Sequence, residues 1–128
     1  MYALVIGATG QFSLRGFLQV IPRQLVERFG PPSPGSADQK VTGKYHFQDA
    51  RQHLIQIYDW KATTLYAAHS DSGTMAVADF WAAYVPQEFS VAATASMNLP
   101  EFAQWLGAVA YHSTWVCGTD QRPEWVYR

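Results

Sequence analysis

Apolar and polar residues alternate along Lys40–Phe47 and again along Leu54–Trp60, the period of a half-buried strand. In the first run Val41, Gly43, Tyr45 and Phe47 share one face, and Thr42, Lys44 and His46 the other. In the second, Ile55, Ile57 and Asp59 oppose Leu54, Gln56, Tyr58 and Trp60. The turn between them, Gln48–Gln52, is too short for a parallel crossover, so the pair is expected to form an antiparallel hairpin. Gln87–Thr94 alternates as well and predicts another strand. Tyr2–Ile6, a short β-branched run closed by Gly7, predicts a buried strand, and Gly7–Gly16 follows as a glycine-punctuated loop.

A different spacing governs two other segments. Phe17, Leu18, Ile21, Leu25, Val26 and Phe29 recur with helical period. Proline clashes inside a helix but is tolerated in its first turn, so the helix is placed from about Pro22. It ends at Gly30, which can adopt the left-handed conformation, followed by Pro31 and Pro32. Leu99, Phe102, Ala103, Leu106, Val109 and Ala110 form a second helical stripe, with Asn98 as its cap and Glu101 completing a capping-box pattern. Pro31–Gln39 reads as loop, and Ala62–Thr74 has no clear period. Val77–Tyr84 fits helix or strand equally. Thr114–Val116 is expected to add a last strand. The fold class that satisfies this order is α+β, an antiparallel sheet of about four strands with two main helices on one face.

Length and composition narrow the picture. The chain has 128 residues, the size of one domain spanning 1–128. Its net charge is −1 and its basic residues are scattered, which disfavours nucleic acid as a partner, because phosphate binding calls for a gathered basic surface. Cys117 is the single cysteine, no segment approaches the roughly twenty apolar residues of a membrane helix, and the start lacks a signal-like charged segment. The expectation is a cytoplasmic, intracellular protein with no membrane partner. Aromatic residues make up 15% of the chain, with five Trp. Such side chains carry a polar handle and seldom vanish wholly into a core, so some are expected at a pocket or a subunit interface. Trp125, Val126 and Tyr127 make the C-terminal tail apolar and predict that it docks on its own domain or on a second subunit.

The candidate chemistry is sparse. Gly7-Ala8-Thr9-Gly10 after a strand resembles the opening of a dinucleotide-binding fold of the short-chain dehydrogenase type, in which glycines let the backbone approach a pyrophosphate. Here the third glycine position is Ser13, and no acidic residue ends a second strand at the required distance. Ile57–Lys61 sets Tyr58 and Trp60 on one face and Asp59 on the other, with Lys61 at the strand end, a set able to clasp a planar polar ligand by stacking and charge. With Arg15 and His69 these make up the predicted ligand-binding residues: Arg15, Tyr58, Asp59, Trp60, Lys61 and His69. His46, His53, His69 and His112 show no metal-ligand spacing, so no metal is assigned; His69 with Asp71 and Asp79 would have to assemble across the fold. Cys117 with His112 lacks an orienting third group, and Ser13 and Ser90 lack a nucleophile-elbow context. No catalytic residue and no cofactor is assigned.

Leu25, Phe29, Gly30 and Pro32, then Lys40, then Ile57–Lys61, then Glu88–Val91 follow a pattern that resembles a class of small phage-encoded proteins of undefined role. The shared motifs are a helix stop and strands, so the resemblance implies a viral setting, where small oligomeric proteins bind host factors or sequester small molecules. The excess of Trp and Tyr, the apolar tail and the lack of a catalytic constellation lead to the expected function: a small non-enzymatic binding protein, a homo-oligomer, holding a small polar or nucleotide-like ligand or a host protein. Two alternatives are a small enzyme with a site drawn from several loops, and a nucleotide-cofactor protein using Gly7 and Gly10.

Overall fold

The computed structural model describes residues 2–35, 41–59 and 76–111. The chain runs β1 (Ala3–Val5), β2 (Ser13–Val20), α1 (Pro22–Phe29), β3 (Ser33–Pro34), β4 (Gly43–Gln48), β5 (Leu54–Tyr58), α2 (Val77–Ala82), β6 (Gln87–Ala93), α3 (Leu99–Leu106) and β7 (Val109–Tyr111). The strands form one sheet in the order β1-β4-β5-β6-β2-β7, with β3 also pairing β4. Every pairing is antiparallel.

The predicted hairpin is β4–β5, with Tyr45 opposite Ile57 and Phe47 opposite Ile55. Alternation places Tyr45, Phe47, Ile55, Ile57, Phe89, Val91, Leu18 and Val20 in one buried cluster, joined by Leu25 of α1, Phe80 of α2, and Leu99, Phe102, Ala103 and Leu106 of α3. All three helices thus cover the same sheet face. Phe47 is its centre: its ring meets Phe29 at 5.1 Å, Phe102 at 5.5 Å and Trp105 at 5.6 Å. Arg28 joins α1 to α3, lying 4.6 Å over the Trp105 ring and donating to the Trp105 carbonyl at 3.2 Å.

The sheet is wider than the four strands expected, and a third helix, α2, lies in Val77–Tyr84. Ser13–Val20 is strand, although Ser13–Gly16 reads as loop and Phe17–Val20 as helical. Its inward residues Leu18 and Val20 do alternate. A bulge between Leu14 and Gly16 against β6 shifts the alternation by one residue and hides it from a period-two reading. The apolar stripe of α3 stops at Leu106. Gly107 adopts φ 79°, ψ 32°, and Ala108 N–H bonds the Ala103 carbonyl while Gly107 N–H reaches Gln104. This pair of bonds closes a helix in left-handed geometry, so Val109 and Ala110 belong to β7, not to the helix. The expected buried first strand is an edge strand: Ala3 is exposed and Ile6 is 86% exposed. The expected strand at Thr114–Val116 and the C-terminal tail lie outside the described residues.

Asn98 caps α3 as expected, its side chain accepting from Glu101 N–H at 3.0 Å. The reciprocal half of the box is replaced. The Glu101 carboxylate accepts from the Tyr2 hydroxyl at 3.1 Å instead, which fastens the N-terminal strand to the helix.

Truncating Phe47 to Ala removes the ring that α1, α3 and β4 share, and is expected to cost about 3–5 kcal/mol. Denaturant unfolding of the variant beside the parent measures it; a loss below about 1 kcal/mol would mean that the cluster repacks around the gap.

Candidate functional site

The predicted ligand-binding residues do not come together as a set. Asp59 is fully buried. Its Oδ1 accepts from Thr42 N–H and Gly43 N–H, both at 2.9 Å, and its Oδ2 accepts from the Thr42 hydroxyl at 2.5 Å. Trp81 Nε1–H in turn donates to that hydroxyl at 3.0 Å. The chain Trp81–Thr42–Asp59 ties α2 and the entry of β4 to the exit of β5. Asp59 is a structural acceptor with no surface to offer a ligand. Burial pushes its carboxyl pKa up, and the hydrogen bonds from Thr42 and Gly43 pull it back only in part.

Tyr58 ends β5 on the opposite face, paired with Lys44 and Ser90 across the sheet. It hydrogen-bonds the Ser90 side chain, and burial raises its pKa. Arg15 sits at the β2 bulge and donates to the Ala93 carbonyl at 3.4 Å, its Nε buried without a partner among the described residues. Ala93 faces Ile55, three residues from Tyr58 and so roughly 10 Å along the strand. Trp60, Lys61 and His69 lie outside the described residues, as do Asp71, His112 and Cys117. Asp79 is exposed on α2.

Gly7–Gly10 leads into strand β2, so no helix N-terminus follows it to receive a pyrophosphate. A Cβ on Gly10 would meet Thr94 Cγ2 at 3.0 Å. Beside this loop Phe12 lies 5.7 Å from the His46 ring. His46 is 5% exposed, and its Nε2 pairs with Gln56 Oε1 at 3.0 Å. An amide oxygen only accepts, so Nε2 carries the proton and Nδ1 is a buried lone pair. Nδ1 has no partner among the described residues. Burial lowers the His46 pKa below its ordinary 6.5.

Residues that sequence reading passed over do converge, at the end of the sheet where the β4–β5 turn meets the start of α3. A cleft of about 600 Å³ is lined there by Tyr2, Asp49, Ala50, Arg51, His53, Ser96, Met97, Asn98 and Glu101. The turn is built on Asp49. Its Oδ1 accepts from Arg51 N–H at 2.8 Å and His53 N–H at 2.9 Å, while its backbone bonds His53 and Gln52. These bonds hold Gln52 at φ 67°, a left-handed conformation costly for a side chain other than glycine. Asp49 Oδ2 faces His53 Nδ1 at 3.5 Å. From the other wall Tyr2 packs on Phe102 and Trp105, at 5.1 and 5.3 Å. Its pKa is pushed up to about 12, by burial first and then by Glu101 and Asp49, so the phenol keeps its proton and donates.

Among the described residues no group of three His, Cys, Asp or Glu side chains could hold a metal, and no helix is long and apolar enough to cross a membrane. Comparison with protein-family models and with curated proteins finds no match to the chain.

Two predictions test these assignments. Asp59→Ala leaves one buried and two part-buried donors without this acceptor and is expected to cost about 2–4 kcal/mol. Asp59→Asn keeps an acceptor for both backbone N–H groups and should cost less than half as much; equal losses in thermal melts would show that the charge, not the acceptor, is what matters. His46 has a folded-state pKa below its unfolded value, so its contribution is present above pH 6.5 and is lost as pH falls below it. In His46→Gln that acid-side slope should flatten, as read from unfolding midpoints between pH 7.5 and 5; an unchanged slope would assign it to other groups.

Proposed function

We propose that this chain is a small non-enzymatic binding protein that holds a small polar ligand in the cleft between the β4–β5 turn and the start of α3. The observation that carries this reading is the convergence there of polar side chains from three separate parts of the fold, around a space of about 600 Å³. Small-ligand sites fall in the range of roughly 300–1,000 Å³. Met97 and Ala50 supply apolar surface, and Ser96, Arg51 and His53 offer polar groups. The walls are fixed by the Asp49 turn and by the Tyr2–Glu101 bond, so little ordering is left for the ligand to drive.

A homo-oligomer belongs to the same reading. It rests on the excess of Trp and Tyr in the composition, residue types enriched at the cores of subunit interfaces. The viral setting implied by the phage resemblance would make the ligand a metabolite or signalling molecule of the infected cell.

The enzyme alternative draws on one observation, the Asp49 carboxylate against His53 Nδ1. A carboxylate on that nitrogen orients the ring so that Nε2 can move a proton. Among the described residues the pair lies in the same cleft as the Ser96 hydroxyl.

Native followed by denaturing mass spectrometry of gently purified protein tests the leading reading. The expected result is an oligomer carrying a small extra mass that leaves on denaturation. Ala50→Trp, which places an indole in the cleft from an exposed turn position, should abolish that mass without lowering the melting temperature. A bare monomer from every preparation would overturn both the ligand and the oligomer.

A further inference from the structure

Four charge-bearing side chains line the cleft: Asp49, Arg51, His53 and Glu101. Asp49 is already committed, with Oδ1 held by two backbone N–H groups and Oδ2 against the His53 ring. The two that meet no counter-charge among the described residues have opposite signs and stand on different elements. Arg51 belongs to the β4–β5 turn, and among the described residues its guanidinium makes no ion pair. Glu101 belongs to the first turn of α3; among the described residues its carboxylate accepts a hydrogen bond from a neutral phenol and makes no ion pair. The two do not pair with each other, although both border the same space.

A cleft with unpaired charges of opposite sign on two walls is unfavourable for a simple anion, which Glu101 and Asp49 repel. It is equally unfavourable for a simple cation, which Arg51 repels. Both are satisfied at once by a ligand carrying one charge of each sign. The guanidinium fork matches a carboxylate by two parallel hydrogen bonds, and a carboxylate oxygen suits an ammonium group as a point charge. Ser96 and His53 add hydrogen-bonding groups to the lining, and Ala50 and Met97 leave apolar surface for a side chain.

We infer that the cleft takes a small zwitterion of the α-amino-acid type, its carboxylate on Arg51 and its ammonium on Glu101. This assignment rests on the reading of the cleft as a ligand site and specifies the chemistry of that ligand.

Titration of the full-length protein with L-glutamine, N-acetyl-L-glutamine and L-glutaminamide, followed by amide resonances in nuclear magnetic resonance spectra, separates the cases. The acetylated compound retains only the negative charge and the amide only the positive one. L-Glutamine should shift the amides of Arg51, His53, Asn98 and Glu101, and each single-charge analogue should bind about tenfold more weakly or worse. Arg51→Ala and Glu101→Gln should each weaken L-glutamine binding by about tenfold. Glu101→Gln keeps an acceptor for Tyr2, so its melting temperature should stay near that of the parent. Equal binding of the acetylated compound would overturn the inference in favour of an anion site. Absence of any cleft shift at millimolar L-glutamine would overturn it as well. A co-purified mass of another class, lost in Ala50→Trp, would then leave the ligand-site reading standing and remove only the zwitterion.

Discussion

Strand β4 carries more of this fold than any other element, because both of its edges and both of its faces are in use. On one edge it pairs β5; on the other it pairs β1 and, further along, β3. Its inward residues Tyr45 and Phe47 bind the helices through ring contacts with Phe29, Trp81, Phe102 and Trp105. Its outward His46 is buried too. A strand buried on both faces has no tolerance for a shift in register, since a slip of one residue would exchange Phe47 for His46 in the core. Both ends of the strand are fastened by side chains rather than by sheet bonds alone: Asp59 holds its entry and Asp49 its exit.

The aromatic richness of the chain follows from this arrangement. The three helices among the described residues are short, six to eight residues each, and large rings span the sheet where they cannot. Trp81 and Trp105 are only partly buried and pack at the rim of the core. Trp81 uses its indole N–H on Thr42, and Trp105 lies under Arg28. For Trp81, the polar handle that suggested a pocket serves the fold. Tyr2 is the aromatic residue that meets the expectation of lining one.

Much of the architecture was legible because its signals are local. The alternation of the hairpin, the Asn98 cap and the antiparallel, one-sided α+β arrangement stand in the structure as the sequence implies, and the helix does stop at Gly30, although at φ 85°, ψ −174° rather than in the left-handed helical conformation. What escaped was set by breaks in period. The bulge in β2 disguised a strand as a loop and a helix. Gly107 divided one apolar stripe between α3 and β7. In α2 a single buried Phe80 gives too short a pattern to distinguish helix from strand. The cleft escaped for another reason. Its walls come from the N-terminal strand, a turn and a helix start, about fifty residues apart in each step, and nothing in a local window reports that they meet. One local cue did exist: in Asp49-Ala50-Arg51-Gln52-His53 an aspartate at the head of a turn can accept from N–H groups two and four residues on, as it does here.

The two aspartates at the ends of the hairpin show why residue type alone could not select the site. Asp59 looked the better candidate, since it lies between Tyr58 and Trp60 and beside Lys61, a grouping that suggests a clasp. Its position in the alternation, however, is that of Ile55 and Ile57, which point into the core. A carboxylate on that face must find donors or destabilise the fold, and Asp59 finds them in Thr42 and Gly43. Asp49 lies beyond the last paired residue of β4, where the alternation no longer forces burial. Its Oδ1 is met by two N–H groups of the turn and its Oδ2 faces the His53 ring, yet the side chain stays part-exposed and borders the cleft. The same side chain is therefore structural at one end of the hairpin and accessible at the other. The difference is decided by the sheet face on which the period places it, which makes the strand's phase, more than its motif, the guide to where ligand chemistry can reside.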